Sequence, residues 1–311
     1  MPSAFNLGQG TVIRFQGNDR CRVFNNLCTQ DLRKLGSGQA VETFVTDVKG
    51  RTLGHGIAFA LNNAASKDAA YFVTVPNQGG KLVQHFDRYI IREDAIISDL
   101  SDSFRFCLFE NRSVATLACS TSLEQVPIAK CACSLEVDGR SIVLVHATWI
   151  GAESVLALLP MDFSDQNMRE RLGSDWVDSD MVARSEWELL RIQAHWPWYG
   201  RDMDDRNLPQ EVDRNDMAIS FNKGCYLGQE TIARLDALGQ VQKKLVRLLV
   251  ESNTLPKPQS VVQGDGKEVG TICTAALDPA KGACVALAYV KRRHFKKGQI
   301  VSVNGDDAVV M

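Results

Sequence analysis

No stretch of this chain approaches the run of about 18 consecutive apolar residues that a membrane-spanning helix needs, so no membrane partner is expected. Basic charge is not in excess either. Lys and Arg number 35 against 37 Asp and Glu, a net charge of −2. A chain so balanced lacks the electrostatic footprint of a duplex DNA or RNA binder, which excludes direct nucleic-acid binding as an expectation. The one local basic run, Lys291-Arg292-Arg293 continuing to Lys296-Lys297, reads as a solvated strand end. The N-terminus has no basic segment followed by an apolar one, so a cytoplasmic protein is expected. The nine cysteines are odd in number and scattered, which suits reduced thiols better than a disulfide framework. They do not form a metal signature. Cys131 and Cys133 are separated by one residue where a zinc knuckle has about two to four. No metal site is expected, and there is no internal repeat or low-complexity tract.

At 311 residues the chain is long for one hydrophobic core, and its 45% hydrophobic and 23% charged composition is that of a globular protein. Two or three domains follow. Thr11–Gln16 reads as a strand ended by Gly17, and Asn18 or Asp19 can cap a helix running to about Leu27. Strands are expected over Gln39–Asp47 and Thr52–Leu61, joined by a turn at Val48–Arg51. Gly54 and Gly56 lie inside the second of these, where glycine marks a bulge or a close backbone approach. Ala69–Val75 is a further strand. Gly80–Ile91 is a helix whose Leu82, Val83, Phe86, Tyr89 and Ile90 make one apolar stripe. Ala95–Leu100 returns to strand, and the alternation suggests a ferredoxin-like unit. Short strands follow at Phe104–Phe109, Val114–Leu117, Ser141–Val145 and Val155–Leu159, then a helix over Met181–Ala194. Residues 195–238 are rich in Asp, Asn, Gly and Pro, the mark of an irregular functional segment. The last 70 or so residues alternate short strands with turns, as in a small β-barrel.

The most informative segment is Lys223-Gly224-Cys225-Tyr226-Leu227-Gly228-Gln229-Glu230. Gly224 and Gly228 allow the backbone to bend and approach a ligand closely. Lys223 would stabilise a thiolate at Cys225 by charge, as would a helix starting near Gly228. Such a thiol is a nucleophile or a metal ligand; by its residues alone, a lone cysteine in a glycine-rich loop is more often inert.

This octamer resembles the Lys-Gly-Cys-(Tyr or Phe)-x-Gly-Gln-Glu signature of YgfZ-type folate-binding proteins, relatives of the glycine-cleavage T-protein, an aminomethyltransferase. Leu190-Arg191-Ile192, Pro197, Gly200, Asp202 and Pro209-Gln210 upstream fit the same pattern, as do Arg234, Gly239-Gln240-Val241 and Asp47-Val48-Lys49-Gly50-Arg51. The resemblance implies an α+β fold, a three-domain cloverleaf around a folate-holding funnel. Residues 1–45 with 104–190 would form one domain. Residues 46–103 with 191–241 would form a second, ferredoxin-like domain carrying the Cys225 motif, and 242–311 a C-terminal β-barrel. It implies tetrahydrofolate or a derivative as cofactor, and iron–sulfur client enzymes as partners in their maturation or repair, with an effect on tRNA modification. Cys225 would be the reactive thiol. Gln193, Trp198, Tyr199, Lys223 and Tyr226 would contact folate, and Gly224, Gly228, Gln229, Glu230 and Arg234 would shape the motif. The alternative is a tetrahydrofolate-dependent aminomethyl or C1 transferase.

Two departures bear on that alternative. T-proteins carry a catalytic aspartate pair after a Gly-Gly turn, but the matching strand here, Lys49 to Gly56, has no carboxylate. Aminomethyl transfer needs a negative group at the folate nitrogen. His55 is the nearby group that titrates near neutrality, and it reads as a strand residue without chemistry. T-proteins also bind the pterin edge with a glutamate, where this chain has Gln193, a weaker neutral partner. Their Gly-Ile before the proline is His195-Trp196 here. Trp196, Trp198 and Tyr199 either stack on folate or form an aromatic packing cluster. Glu230 and Arg234, four residues apart, are expected to pair on a helix.

Overall fold

The computed structural model describes residues 4–61, 69–110, 131–137, 139–152, 154–172, 176–177, 181–239 and 241–311. The strand expected at Val114–Leu117 lies outside them. Three sheets organise the chain. The first has six strands, in the order Trp176–Val177, Ala4–Gln9, Phe104–Glu110, Ser154–Pro160, Arg140–His146, Ala132–Val137. The second has five, in the order Ala40–Thr46, Thr52–Phe59, Ala69–Thr74, Thr11–Gln16, Ile96–Asp99. The third is a closed six-stranded barrel built from residues 243–310.

Strand membership differs from the expected grouping of residues 1–45. Ala4–Gln9 joins the first sheet, but Thr11–Gln16 and Ala40–Thr46 hydrogen-bond into the second. The switch happens at Gly10, where a side chain would stand 2.0 Å from the Phe106 ring. Glycine lets the chain pass flat over that ring and change sheets.

The second sheet is covered on both faces, so its strands do not show a simple apolar–polar alternation, and even Glu42 and His55 are buried on it. In Thr11–Gln16, Val12 points toward the first sheet, where it joins Phe5, Phe106, Trp149, Leu156 and Trp196 in one core. Ile13 and Phe15 point the other way, against the helices Arg20–Asn26 and Gly79–Asp87. Phe15 stacks on Phe24 at 4.2 Å between centroids, and Leu82 and Phe86 close this layer as the stripe predicted. At Gly54 a Cβ would crowd Leu82 at 3.2 Å, the close approach expected there. Each fully buried aromatic of this size stabilises by roughly 1.5–3 kcal/mol.

The helix Met181–Gln193 leads into the irregular linker. Arg191 at its end is fully buried. It donates to both Asp202 (2.6 Å) and the Trp196 carbonyl (2.8 Å) through Nη1, and to Glu188 (2.7 Å) and Thr274 Oγ1 (3.1 Å) through Nη2. Thr274, on the barrel strand Lys267–Asp278, donates to Asp202 at 2.6 Å. One guanidinium thus fastens helix, linker and barrel together.

Candidate functional site

The octamer loop is held from three directions. Lys223 is buried, and its ammonium donates to the carbonyls of Asn25 (2.7 Å), Cys28 (2.8 Å) and Gln30 (2.7 Å). It also lies 4.7 Å from the Tyr226 ring centre. Burial pulls its pKa below the usual lysine value. These contacts correct the role expected for Lys223. All three ammonium protons are committed to backbone carbonyls, and the thiol it faces is the buried Cys28, whose pKa burial pushes up and Lys223 draws down. Lys223 is therefore a loop anchor. Tyr226, also buried, serves the same packing, and its phenol is pushed well above its ordinary value by burial.

Gly228 starts the helix Gln229–Leu238 with φ +80. A Cβ there would lie 2.5 Å from both the Asp47 carbonyl oxygen and Gly50 Cα. Gly50 has φ +75, and its own Cβ would meet the Gly228 oxygen at 2.9 Å. The two glycines sit back to back, so the Asp47–Arg51 turn and the octamer are one interlocked structure. Thr46 Oγ1 donates to the Leu227 carbonyl at 2.7 Å and the Leu227 amide to the Asn26 carbonyl at 2.8 Å. Gln229 Oε1 accepts from the Tyr226 amide at 3.3 Å. Gly224 has no positive φ, and a Cβ there would meet nothing closer than the tip of Arg33 at 3.5 Å, so the sharp bend belongs to Gly228 alone. The helix forms as expected, but no Glu230–Arg234 ion pair does; both side chains are exposed. At four residues' spacing on an open surface, such a pair gains too little to fix two long side chains.

What this scaffold presents is Cys225. It is exposed, and it lines a surface recess of 380 Å³ with Val23, Leu27, Tyr89 and Glu93. Among the described residues no two cysteines are bridged, and no group of His, Cys, Asp and Glu is placed to hold a metal ion. The buried thiols are unreactive by environment: burial raises Cys107 and pushes Cys273 up to about 12.

A second constellation sits between the first two sheets. Glu42 on Ala40–Thr46 is buried and salt-bridged to Arg214 through both Nε and Nη2, and its Oε1 lies 2.7 Å from His55 Nε2. Arg214 further donates to the His195 carbonyl (3.0 Å) and Thr148 Oγ1 (2.9 Å), and stacks 5.0 Å over Trp196. Burial opposes Glu42's charge, but Arg214 and then His55 hold its pKa down at about 2. Burial keeps His55 neutral, below its ordinary value. Its ring is clasped between Phe44 (4.6 Å) and Trp196 (4.5 Å). His55 is thus a partner of a buried carboxylate, which its own strand gave no sign of, because Glu42 and Arg214 lie 13 and 159 residues away in sequence. A cavity of 290 Å³ opens beside Glu42, walled by Val41, Ile57 and Met217 and bordered by Thr148 and Asp216. Asp216 is exposed and has no partner among the described residues.

The expected folate residues are not gathered around this cavity. Gln193 Nε2 donates to Asp278 at 3.1 Å, and its carbonyl accepts from Arg247. Trp196 is fully buried and stacks on Trp149 at 5.3 Å, so for it the packing cluster is the outcome. Trp198, half-buried, meets Trp149 and Trp187 by their edges. The Tyr199 hydroxyl accepts from Lys81 at 3.0 Å. His195 has φ +55, the left-handed region that the T-protein pattern fills with glycine. Its Nε2 bonds the Leu245 carbonyl at 3.1 Å, which holds that backbone in place.

No family model matches the chain. It is 26% identical over 306 residues to a chloroplastic Arabidopsis thaliana protein named as a transferase, covering 94% of this chain and 66% of that one. It is 24% identical over 307 residues to an aminomethyltransferase of Nostoc sp., covering 96% and 79%. The crystal structure of the glycine cleavage system aminomethyltransferase T from Bartonella henselae superposes with a TM-score of 0.84 at 14% identity, over 99% of this chain and 85% of that one. The chain therefore has the glycine-cleavage T-protein fold with a closed C-terminal barrel, and its relatives and structural neighbour are members of the aminomethyltransferase superfamily.

Proposed function

We propose that this protein binds a tetrahydrofolate and acts as an accessory factor in the maturation or repair of iron–sulfur enzymes, with Cys225 as its reactive thiol. The observation that carries this reading is the octamer's construction. A buried ammonium, two interlocked glycines and a buried tyrosine immobilise a loop whose exposed tip is a cysteine in a recess. Rigid support under an exposed nucleophile is what a reactive side chain needs.

The residues beside Glu42 fit a folate head group. A cavity of 290 Å³ stands at the lower end of the roughly 300–1,000 Å³ of small-molecule sites, which suits a bicyclic ring with the rest of the ligand outside. Asp216 would offer the carboxylate that the N–H edge of a pterin prefers, in place of the committed Gln193. Trp198 and Tyr199 lie outside this cavity's lining and would support the site by packing rather than by contact with the ring, while Lys223 and Tyr226 hold the loop. Bound there, the folate would supply one-carbon or redox chemistry.

The test is complementation of a strain lacking its own YgfZ-type protein, by the wild type and by Cys225→Ala. Rescue by the wild type alone is expected; full rescue by the alanine variant removes the thiol from the mechanism. Calorimetry with tetrahydrofolate tests the ligand separately, and Asp216→Asn is expected to weaken it about tenfold. The resemblance to aminomethyltransferases favours a second reading, tetrahydrofolate-dependent aminomethyl or C1 transfer. Glu42 lines that cavity, but Arg214 already neutralises it and the neutral His55 ring occupies its Oε1. Turnover of a methylamine-type donor would establish that reading, and none across a donor panel would end it.

A further inference from the structure

We propose that the turn closing the barrel after the strand Ala283–Lys291 forms a binding site for the phosphate group of a small phosphorylated molecule. The site is a recess of 540 Å³ at one end of the barrel, and it is distinct from both the Cys225 recess and the Glu42 cavity. Lys267, Lys291, Arg292 and Arg293 converge on it, against the two carboxylates Asp265 and Glu268. All four cations are exposed. Among the described residues no carboxylate lies within ion-pair distance of Lys267, Arg292 or Arg293, and Lys291 donates only to the Glu268 backbone carbonyl, at 3.0 Å. A solvated basic run spreads its charges outward; these are gathered around a concavity.

The second observation is independent of charge. His294 lines the same recess and is buried, with 8% of its surface exposed. Its Nδ1 has no hydrogen-bond partner, and its Nε2 stands 3.7 Å from Asp265, beyond hydrogen-bond distance. The ring rests against Gly264, where a Cβ would come within 2.8 Å of Nδ1. A buried imidazole whose Nδ1 makes no hydrogen bond and whose Nε2 faces only the exposed Asp265 carboxylate at 3.7 Å, set among unpaired cations, has hydrogen-bonding capacity left for a ligand. Phosphate matches it. A phosphate group carries up to about two charges and three acceptor oxygens near neutrality, and guanidinium forks engage it two bonds at a time. The lining has no phenyl, phenol or indole ring on which a base could stack, which disfavours a single-stranded nucleic acid. This inference goes beyond the folate reading and does not depend on it.

The experiment is calorimetry of the full chain with inorganic phosphate, ribose 5-phosphate and AMP, each repeated on the Arg292→Ala/Arg293→Ala variant. These side chains are exposed, so thermal unfolding is expected to be unchanged. Binding of at least one phosphate compound, weakened about tenfold or more in the variant, is the expected result. Inorganic phosphate binding as well as the two esters would assign the site to the free anion; tighter binding of an ester would assign it to a phosphorylated metabolite. His294→Gln, which keeps a hydrogen-bonding head in the recess, is expected to weaken binding by less. Equal binding by wild type and variant overturns the proposal, as does no binding at all. Variant-sensitive binding of a single-stranded oligonucleotide with none of the small compounds would overturn it in favour of a polyanion surface.

Discussion

Lys223 gives the sharpest statement at the scale of one residue. Its ammonium satisfies three carbonyls, those of Asn25 and Cys28 buried and that of Gln30 half-buried. Lys223→Met keeps the stem but strands those acceptors, and hydrogen bonds to charged groups contribute about 1.5–3 kcal/mol each. A loss of about 3 kcal/mol or more is expected in urea unfolding at unchanged m-value; a loss below about 1 kcal/mol would show the anchor to be dispensable. The two octamer glycines should separate in the same assay. Gly228→Ala meets backbone at 2.5 Å in a left-handed conformation, for a cost of about 2 kcal/mol or more. Gly224→Ala meets only the flexible end of Arg33 and should change stability by less than about 0.5 kcal/mol. The octamer was legible as a unit because its residue types are unusual together. Lys223's actual partners were not, because it bonds backbone carbonyls, and a carbonyl leaves no trace in the identity of the residue that carries it.

Among elements, those with strong periodicity were readable. Both helices over the second sheet lie close to where the sequence put them, and the last 70 or so residues form the short strands of a barrel as their alternation with turns suggested. The helix Asp165–Leu172 and the strands Ala4–Gln9, Val261–Gly264 and Asp306–Val310 were not anticipated. The latter two are short and half exposed in alternate positions, so tertiary pairing decides them more than propensity. Thr11–Gln16 was recognised as a strand but not as belonging to the second sheet, since Gly10 signals a bend without its direction. The join between linker and barrel rests on Asp202, whose carboxylate is shared by Arg191, Thr274 and the Trp198 amide. Asp202→Asn leaves the fully buried guanidinium with Glu188 as its one remaining carboxylate and weakens its charged hydrogen bond, at an expected cost of about 1.5–3 kcal/mol. Calorimetric scanning should place the whole transition lower, and an unchanged midpoint would mean that the barrel docks without this contact.

At the scale of the molecule, the buried His55 and His85 and the half-buried His195 set the acid limit of stability. Burial lowers His195 to about 4, and His55 and His85 are lowered in the same direction. The unfolded chain takes up these protons below about pH 6.5 while the folded one refuses them. The stabilisation is therefore complete above pH 6.5 and declines as pH falls toward 4, by roughly 3 kcal/mol for His195 alone. Glu42, held at about 2, adds its loss only below about pH 4.5. Urea midpoints at pH 7.5, 6 and 5 should fall steadily, and less steeply in His195→Asn; a flat profile across that range would refute the assignment. The Lys223 anchor has a consequence in time as well. Its three acceptors lie 193 to 198 residues earlier in the chain. A ribosome adding roughly 5–20 residues per second takes some 10–40 seconds between making those carbonyls and supplying the one side chain that satisfies them. For that interval the carbonyls of Asn25, Cys28 and Gln30, at the end of the helix Arg20–Asn26 and just after it, have no lysine to meet, so this corner of the molecule closes only once the octamer has been made.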